Sequence, residues 1–468
     1  MNSLPKILLC TPCNHDIDRL ASVPPLMLIP IAAAVEVALP GLTPYLGTLD
    51  THTLDTYKPD IVGISCFSAF WDKCKALAKE CKQRGISVIV GGPHINARPR
   101  DITTDMDIAV RGEGERVVPS LLRFYDTGWK GKDLAEIPGL LYWSAGELME
   151  SGPPEIIANL DELPIPILPK SFVRDGTLHI LTTRGCPFKC TFCSSQSHEK
   201  VRSYSADYIV RYIRRHIKRY PHIDRVKFWD DLFTWNRRRV KQICAALNES
   251  RLIHLNYHVS IRADQVTPEI IRLFRKMHVT NVYMGLESGS SETLKHINKG
   301  YDLAKIHRAL FLLKNEPFTL EASFVVGFPH EGHRQLQETF DLIRAAPLNL
   351  VQVFLLTPYP GTIEWTRATS RGVVRDSPDF EWYLLDQNVG TANPKQVLTH
   401  SIVVSEHLNR RELYHWLLRF RRYVVWTRIR HTLNLLLCNP RRFLLNVFHN
   451  SPLQRLRSLW SSSSMEHL

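Results

Sequence analysis

The sequence lacks a run of apolar residues long enough to cross a membrane as a helix. The best candidate, PPLMLIPIAAAV at residues 24–35, is Pro-rich and is followed by Glu36. Because a membrane span needs roughly 18 apolar residues, this stretch predicts a buried core helix. The first residues, MNSLPKILLCTPCNHD, also lack the apolar core and the small-residue cleavage site of a signal peptide. We therefore expect a cytoplasmic protein.

The composition also lacks the features of disordered and disulfide-stapled proteins. Of the 468 residues, 44% are hydrophobic and 22% are charged, which is typical of a globular protein. This length predicts two or three domains. Ten cysteines are scattered along the chain, and in a reducing compartment they indicate free thiols or metal ligands.

Acidic residues are almost missing from the C-terminal region. Between Arg410 and Arg457 stand eleven arginines and one acidic residue, Glu412, so this segment carries most of the net charge of +13. Its arginines are interleaved with Trp, Leu and Phe. The favoured interpretation is a set of capping helices with a solvated Arg face. Peripheral association with a membrane is the second, and nucleic-acid binding is the least favoured because no binding groove is evident.

Strands and helices alternate in the first part of the chain. Short apolar runs that predict strands are KILLC (6–10), PDIVGIS (59–65), SVIVGG (87–92) and MDIAVRG (106–112), with a weaker candidate near Tyr45. The helical pattern at 68–85 ends at Gly85, a helix stop signal. This βαβ order predicts an α/β, doubly wound, Rossmann-like parallel sheet over residues 1–145, with ligands at the carboxyl edge of its strands.

A second alternation follows a Pro-rich stretch, for which we predict a linker over residues 146–176. Its six apolar runs predict strands at 178–185, 225–231, 256–264, 281–288, 320–329 and 350–360. Thr267 and Pro268 mark the start of one of the intervening helices. Six β/α units predict an open partial (β/α)6 barrel over residues 177–380, with its active residues at the carboxyl ends of the strands. A helical, Arg-rich region is expected over residues 381–468.

Three cysteines follow the first barrel strand. The segment RGCPFKCTFC (184–193) contains Cys186, Cys190 and Cys193. A structural zinc site needs four ligands, and the nearest fourth candidate is His198, so a zinc site is one alternative. A four-iron cluster held by three cysteines leaves one iron open for a substrate or cofactor. This is the favoured interpretation.

The spacing CxxxCxxC after the first strand of a β/α barrel, with Phe192 before the last cysteine, resembles the radical S-adenosylmethionine (SAM) superfamily. The resemblance implies a [4Fe–4S] cluster whose open iron binds the amino and carboxylate groups of SAM. It also implies that an electron from the cluster cleaves SAM to a 5′-deoxyadenosyl radical. A reducing partner such as flavodoxin or ferredoxin would supply that electron.

The resemblance assigns SAM contacts to polar residues at later strand ends. Asp230 and Asp231 match the place of the SAM amino group, to which carboxylates are suited. Ser260 and Arg262 follow the third strand, where a guanidinium suits the SAM carboxylate. Glu287 follows the fourth strand, where the ribose hydroxyls are expected. Each residue taken alone is equally well explained as a turn former, a helix cap or a surface ion pair.

The front sheet resembles the cobalamin-binding domain of one radical SAM class, on the segments PDIVGIS, VIVGGPH and AVRGEGE. The resemblance implies that Gly91 and Gly92 let a bulky ligand approach the backbone. It also implies that Ser65 can hydrogen-bond the nucleotide tail of cobalamin. Glu113 or Glu115 is expected to cap or brace a neighbouring loop.

The cobalt-ligating motif DxHxxG is missing after the first strand, where CTPCNHDID stands. We therefore expect His15, His52 and His94 to be loop histidines and not cobalt ligands. Two alternatives stay open for the front domain. It binds cobalamin without a protein histidine, which we favour, or it is a degenerate sheet that binds none.

The favoured function is a cobalamin-dependent radical SAM methyltransferase that methylates an unactivated carbon of a small molecule or a lipid. The second hypothesis keeps the architecture but predicts oxidation, cyclisation or rearrangement, as in the anaerobic magnesium-protoporphyrin ester cyclase of the same class. The third is a non-catalytic zinc- or cluster-containing protein that binds nucleic acid. No motif identifies the substrate or a catalytic acid or base.

Overall fold

The computed structural model describes residues 4–12, 25–48, 51–129, 131–173, 175–195, 200–375 and 402–438. Two α/β units follow one another along the chain. The first contains a seven-stranded sheet and the second a six-stranded sheet. A long C-terminal helix packs on the second unit.

The front sheet has the strand order β2-β1-β3-β4-β5-β6-β7. Its first five strands run parallel, as the βαβ pattern predicts. The strand near Tyr45 is present and lies at one edge of the sheet. The bounds are β1 Ile7–Thr11, β2 Tyr45–Thr48, β3 Ile61–Ser65, β4 Ser87–Gly91, β5 Ile108–Val110, β6 Leu140–Ser144 and β7 Glu147–Glu150.

The last two strands form an antiparallel hairpin that the sequence analysis did not predict. β7 lies within the predicted linker, so the front sheet continues past residue 145. The hairpin turns at Ala145 and Gly146, whose φ angles are 49° and 84°. A two-residue turn of this kind needs positive φ at both positions, and Asn-Gly is its usual signal. Because alanine stands at the first position in place of asparagine, the sequence lacks the usual signal of this turn.

Helices cover the front sheet and its loops. They are α1 Ile29–Ala38, α2 Thr51–Tyr57, α3 Trp71–Gln83, α4 Pro93–Ala97, α5 Gly114–Arg123 and α6 Gly131–Ala135. α1 buries Ile29, Ala32, Ala33 and Val35, which confirms the prediction of a buried helix from the apolar run. Within the described residues no helix combines the length and the apolar character that crossing a membrane requires.

The second sheet is parallel throughout, in the order β15-β14-β13-β12-β11-β8. β8 and β15 are its two edges and do not pair, which confirms an open partial barrel. A separate two-stranded ribbon of β9 and β10 frames the cysteine segment. The bounds are β8 Thr177–Ile180, β9 Thr183–Arg184, β10 Arg202–Ser203, β11 Arg225–Phe228, β12 Asn256–Ile261, β13 Val279–Glu287, β14 Thr319–Val326 and β15 Leu350–Leu355.

Seven helices follow the barrel strands. They are α7 Ala206–Arg219, α8 Arg237–Glu249, α9 Pro268–Lys276, α10 Ser291–His296, α11 Leu303–Leu313, α12 His333–Ala345 and α13 Ile363–Ser370. Side-chain oxygens cap five of them by accepting a backbone N–H of the first turn; the capping residues are Ser205, Asn236, Thr267, Asp302 and Thr362. The predicted N-cap at Thr267 is thus confirmed.

The C-terminal helix α14, Arg410–Cys438, changes character along its length. Its first half packs against β15, and the buried residues are Leu413, Trp416, Leu417, Phe420 and Val424. The capping interpretation is therefore correct for this half. Beyond residue 424, apolar side chains are exposed, among them Trp426, Ile429, Leu433 and Leu437. The rest of the Arg-rich segment, from residue 439 on, lies outside the described residues.

The two halves of α14 predict different responses to truncation of a side chain. Phe420→Ala should lower the free energy of unfolding by about 3–5 kcal/mol, because it empties a buried ring position. Leu433, 52% exposed on the same helix, is the matched control, and Leu433→Ala should change that free energy by no more than about 0.5 kcal/mol. Urea denaturation measures both. If both variants lost the same free energy of unfolding, the first half of α14 would not be a packed cap with an exposed second half.

Candidate functional site

The cysteine segment forms a loop over the carboxyl ends of the barrel strands. Three backbone and side-chain hydrogen bonds hold it there. The Thr191 amide donates to the Ile297 carbonyl at 3.0 Å, and the Asn298 side chain donates to the Lys189 carbonyl at 3.0 Å. The Glu364 amide donates to the Thr191 carbonyl at 3.2 Å. The end of α10 and the start of α13 therefore fix the loop in place.

The three thiols of this loop are protected from solvent to different degrees. Cys190 is buried, and Cys186 and Cys193 are partly buried. Burial raises the pKa of all three thiols, that of Cys193 to about 11. Metal binding at such thiols must therefore displace protons.

The arrangement favours a cluster over a zinc ion. The loop supplies three thiols, those of Cys186, Cys190 and Cys193. Zinc needs its four ligands within about 2.0–2.3 Å of a single centre, whereas the thiolates of an iron–sulfur cluster each bind a separate iron. His198, the candidate fourth zinc ligand, lies outside the described residues. The donor set fits a cluster.

Arg262 lies beside the cluster loop, at the end of β12 as predicted. Its guanidinium carbon stands 3.4 Å from the ring centroid of Phe188, which lies between the first two cysteines. Arg262 also donates to the Lys299 carbonyl at 2.6 Å and pairs with Asp264 at 3.1 Å. Burial raises the pKa of the Cys190 thiol, and Lys299 and Arg262 oppose that rise. The stacking partner Phe188 was missed, although it stands inside the cysteine motif.

Glu287 ends β13 in a strained conformation. A register shift separates Gly285 from Glu287, and Glu287 has a φ of 66°. Left-handed backbone at a non-glycine residue costs about 1–3 kcal/mol and is concentrated at functional sites. The Glu287 carboxylate accepts a hydrogen bond from the Lys299 ammonium at 2.8 Å, and both side chains are buried. Lys299 was not predicted, because nothing in its local sequence signals the pair.

Asp230, which the resemblance assigns to SAM, lies in a network of contacts within the protein. Its carboxylate is buried and accepts hydrogen bonds from the Thr182 amide, the Thr182 hydroxyl and the Thr183 amide, at 2.5, 2.5 and 3.0 Å. Arg239 lies 3.7 Å away as its ion-pair partner. With both oxygens occupied, Asp230 ties the end of β11 to the start of the cluster ribbon.

The neighbouring carboxylate is the accessible one. Asp231 is exposed. Its carboxylate accepts a hydrogen bond at 3.1 Å from the hydroxyl of Ser195, which is two residues beyond Cys193. The Ser260 hydroxyl donates to the Asp230 carbonyl at 2.9 Å and accepts from the Phe233 amide at 3.2 Å, so it positions the loop that carries Asp231. The Phe192 ring packs edge-on against Phe328, 5.8 Å between centroids.

The predicted cobalamin residues lie at the carboxyl edge of the front sheet. Ser65 ends β3, and its hydroxyl has no hydrogen-bond partner among the described residues, so it remains available to a ligand. Gly92 has a φ of 91°, and a Cβ there would lie 2.7 Å from the Ser65 hydroxyl and 2.8 Å from the Cys66 amide. A Cβ at Gly91 would lie 3.3 Å from the Val110 carbonyl on the neighbouring strand β5. Both glycines therefore allow close packing at this edge of the sheet, and their role toward cobalamin stays a prediction.

His94 is part of the core of the front domain. Its ring is fully buried and stacks on Trp71 with 4.1 Å between centroids. Nδ1 lies 3.0 Å from the Ser68 hydroxyl, and Nε2 lies 3.3 Å from the Asp101 carboxylate. Burial lowers the pKa of His94 despite that carboxylate. His52 is exposed on α2, and His15 lies outside the described residues.

Two carboxylates of the front domain clamp the cluster ribbon. Arg184, two residues before Cys186, donates to Glu113 at 2.5 Å and also pairs with Glu115. Arg202, on the other strand of the ribbon, donates to Glu113 at 2.8 Å. Burial alone would raise the pKa of Glu113, but Arg202 and Arg184 outweigh it and hold the pKa below its usual value. The predicted bracing role of Glu113 and Glu115 is correct, and the braced loop is the one that carries the cysteines.

Family comparison agrees with this geometry. The sequence matches the Radical SAM superfamily over residues 180–343 and the B12 binding domain over residues 51–122. The chain is a radical SAM enzyme with a B12-binding domain. The cofactors of these two domains are a [4Fe–4S] cluster, SAM and cobalamin, as predicted.

Relatives of this radical SAM enzyme include named methyltransferases. It is 29% identical over 390 residues to an uncharacterized methyltransferase of Pyrococcus horikoshii, covering 79% of this chain and 84% of that protein. It is 28% identical to the hopanoid C-3 methylase of Methylococcus capsulatus, covering 70% of this chain and 64% of that one. The anaerobic magnesium-protoporphyrin IX monomethyl ester cyclase of Rubrivivax gelatinosus is 26% identical, with 66% and 58% covered.

Solved structures confirm the fold of the radical SAM enzyme. The methyltransferase TsrM of Kitasatospora setae, solved with cobalamin and a [4Fe–4S] cluster, aligns with a TM-score of 0.65 at 16% identity, covering 80% of this chain and 76% of that one. The cobalamin-dependent SAM radical enzyme OxsB aligns with a TM-score of 0.59 at 18% identity, covering 90% and 62%.

The clamp predicts a large cost for the loss of its arginine. Arg184→Met should lower the free energy of unfolding by about 3–5 kcal/mol, because it leaves the buried Glu115 without a cation and Glu113 with Arg202 as its one remaining ion-pair partner. The matched control is Arg116→Met, since Arg116 also pairs with two carboxylates, Glu155 and Glu162, but is 46% exposed. That change should cost no more than about 1 kcal/mol. Guanidinium denaturation measures both, and similar losses would show that Arg184 is no clamp.

Proposed function

We propose that this radical SAM enzyme transfers a methyl group from SAM to an unactivated carbon of its substrate. The observation that carries the proposal is the clamp, because Glu113 and Glu115 hold the cobalamin-type sheet edge against the ribbon of the cluster loop. The names of two relatives support the proposal, since the Pyrococcus horikoshii protein is called a methyltransferase and the Methylococcus capsulatus protein a methylase. A small molecule or a lipid would be the acceptor.

The proposed roles follow from accessibility. Cys186, Cys190 and Cys193 would hold the cluster. Asp231 is exposed beside the third cysteine and suits the SAM ammonium. Arg262 lies beside the first two cysteines and suits the SAM carboxylate. Glu287 is held by Lys299 and would present its remaining acceptor capacity to the ribose.

Cobalamin supplies the chemistry of a methyl carrier when it is bound. On the protein side, Ser65 offers a free hydroxyl at the carboxyl edge of the front sheet. The described residues there place His94 in the core, where its ring is covered by Trp71. We therefore propose that no histidine of this edge binds the cobalt. A flavodoxin or a ferredoxin would reduce the cluster.

A second reaction deserves a direct test because the cyclase of Rubrivivax gelatinosus shares this architecture at 26% identity. Oxidation or cyclisation would consume SAM to 5′-deoxyadenosine without moving its methyl group. Methyl-labelled SAM separates the two reactions, because only a methyltransferase moves the label into product.

The labelled reaction predicts two readouts. With dithionite and an extract of small molecules and lipids, the enzyme should form 5′-deoxyadenosine and move the label into a product. Cys186→Ala should abolish both, because the cluster loses a ligand. The matched control is Cys244→Ala on α8, outside the cluster loop, which should keep both. Formation of 5′-deoxyadenosine without labelled product would show that the enzyme does not transfer the methyl group, and it would favour oxidation or rearrangement.

We also propose that the second half of α14 binds an anionic membrane surface. Trp426, Ile429, Leu433 and Leu437 expose 48, 54, 52 and 79% of their surface. Their spacing of three or four residues puts them on one side of the helix, and arginines of the same segment flank them. Exposed apolar side chains next to arginines suit the interface of anionic lipids. Such binding would bring the enzyme to a lipid substrate.

Sedimentation with vesicles tests this binding. The enzyme should pellet with vesicles of equal phosphatidylglycerol and phosphatidylcholine and should be released by high salt. Trp426→Glu with Leu433→Glu should abolish pelleting, since both changes put charge on the apolar stripe. Phe311→Glu, at a 65% exposed ring on α11, is the control and should pellet normally. The membrane proposal is wrong if the unchanged enzyme stays in the supernatant.

A further inference from the structure

The two faces of the barrel sheet differ in chemistry. Along β12, the buried residues Tyr257, Val259 and Ile261 alternate with the partly buried Asn256, His258 and Ser260. β11 and β15 alternate in the same way. Because successive side chains of a strand face opposite sides of the sheet, one face is apolar and packs under the helices. The opposite, inner face is polar.

The strand register brings the polar residues side by side. Lys227 pairs with His179 on one side and with His258 on the other, and His258 pairs with Asn281. Tyr283 pairs with Glu321 on the next strands. Complete eight-stranded β/α barrels are usually filled by layers of Val, Ile and Leu. The inner face of this barrel instead carries a cation, an anion and several hydrogen-bonding groups.

Lys227 has no anionic partner there. Its ammonium stands 3.8 Å from the ring centroid of Trp229, and no carboxylate or hydrogen-bond acceptor of the described residues contacts it. Burial lowers the pKa of Lys227, and the charge of Glu321 partly opposes this effect. Lys227 is partly buried, and its ammonium is absent from the fully buried polar atoms without a partner. The ammonium is therefore accessible and available to an anionic group of a ligand.

His179 adds a hydrogen-bond donor next to Lys227. The Trp229 indole N–H donates to His179 Nδ1 at 2.7 Å. Burial lowers the pKa of His179 to about 4, so the ring is neutral at pH 7. A neutral ring whose Nδ1 accepts must carry its proton on Nε2, and Nε2 has no partner among the described residues.

The other side of the inner face offers acceptors. The Glu321 carboxylate accepts a hydrogen bond from Gln352 but forms no ion pair with a Lys, Arg or His of the described residues. The side-chain amide oxygen of Asn281, Oδ1, is buried and accepts no hydrogen bond from the described residues. The inner face therefore has a cation without an ion-pair partner on one side, and on the other a carboxylate without an ion-pair partner and an amide oxygen without a donor among the described residues.

This polar face continues to the cluster site. Tyr283 lies between the two, because it is opposite Glu321 in the strand register and precedes Glu287 on the same strand, β13. Glu287 in turn pairs with Lys299 beside Cys190. The inner face is thus continuous with the residues beside Cys190.

We propose that the inner face of the barrel binds the substrate and selects a polar molecule with a carboxylate or phosphate group, which Lys227 holds. Glu321 and Asn281 would accept hydrogen bonds from the rest of that molecule. The inference rests on the proposed function, since it names the substrate class of the same site. A purely hydrocarbon substrate would leave the Lys227 charge without compensation. A lipid fits only through an anionic group.

Affinity selection tests binding without requiring turnover. The reconstituted enzyme with SAM would be incubated with a defined panel of amino acids, dicarboxylates, sugar phosphates, neutral sugars and neutral isoprenoid lipids. Retained molecules would then be identified by mass spectrometry after rapid gel filtration. We expect retention of one or more carboxylates or phosphates, and which of the two is retained identifies the anionic group. Retention of neutral members only, or of none, would overturn the proposal.

Three variants link that retention to Lys227. Lys227→Met should reduce it at least about tenfold, as loss of a charge-assisted contact does, and Lys227→Arg should restore part of it. Lys241→Met, at an exposed lysine of α8 that pairs with Glu269, should retain the panel normally. The melting temperature of Lys227→Met should be unchanged or higher, because a partly buried charge without an ion-pair partner is removed. A lower melting temperature with normal retention would show that Lys227 is only structural.

Because the readout is binding, its failure differs from failure of the proposed function. An enzyme that retains an anionic molecule but moves no methyl label would keep this inference and lose the methyl transfer. An enzyme that methylates a neutral lipid would keep the methyl transfer and lose this inference.

Discussion

The ion pairs of Arg184 are the contact on which the rest of the site depends. Glu113 and Glu115 stand at the start of α5 in the front domain, and Arg184 stands directly before the cluster loop. The helix start adds partial positive charge that favours carboxylates at this place. The same contact thus positions the edge of the front sheet and the ribbon that frames the cysteines. A cofactor at that edge and a cluster in that loop would face one another.

The two faces of the barrel sheet and its rim have different roles. Helices cover the apolar face, and the rim carries the residues that hold the cluster loop. Asp230 shows how the rim is made rigid, since its buried carboxylate ties two strand ends together through three hydrogen bonds. Asp231, one residue on, is left accessible. Adjacent carboxylates with such different surroundings can serve structure and binding at the same time.

Local signals explain what the sequence predicts well. Short apolar runs predict the strands, Thr267 predicts a helix start, and the cysteine spacing predicts the cluster loop. The failures need information from distant residues. Asp230 and Asp231 are indistinguishable until Thr182 and Arg239 are placed beside one of them. Glu113 meets Arg184 across 71 residues, and the polar inner face appears only when the register aligns Lys227 with its neighbours. The Ala145 turn was missed because alanine rarely adopts positive φ.

The proposed reaction needs a four-iron cluster and cobalamin in the same chain. Iron and cobalt content per chain, after anaerobic purification from cells supplied with cobalamin, measures both. We expect about four iron atoms per chain together with one equivalent of cobalt. Iron without cobalt would contradict the role of the front domain and reduce it to a scaffold. Zinc in place of iron would contradict the assignment of the cysteine loop itself.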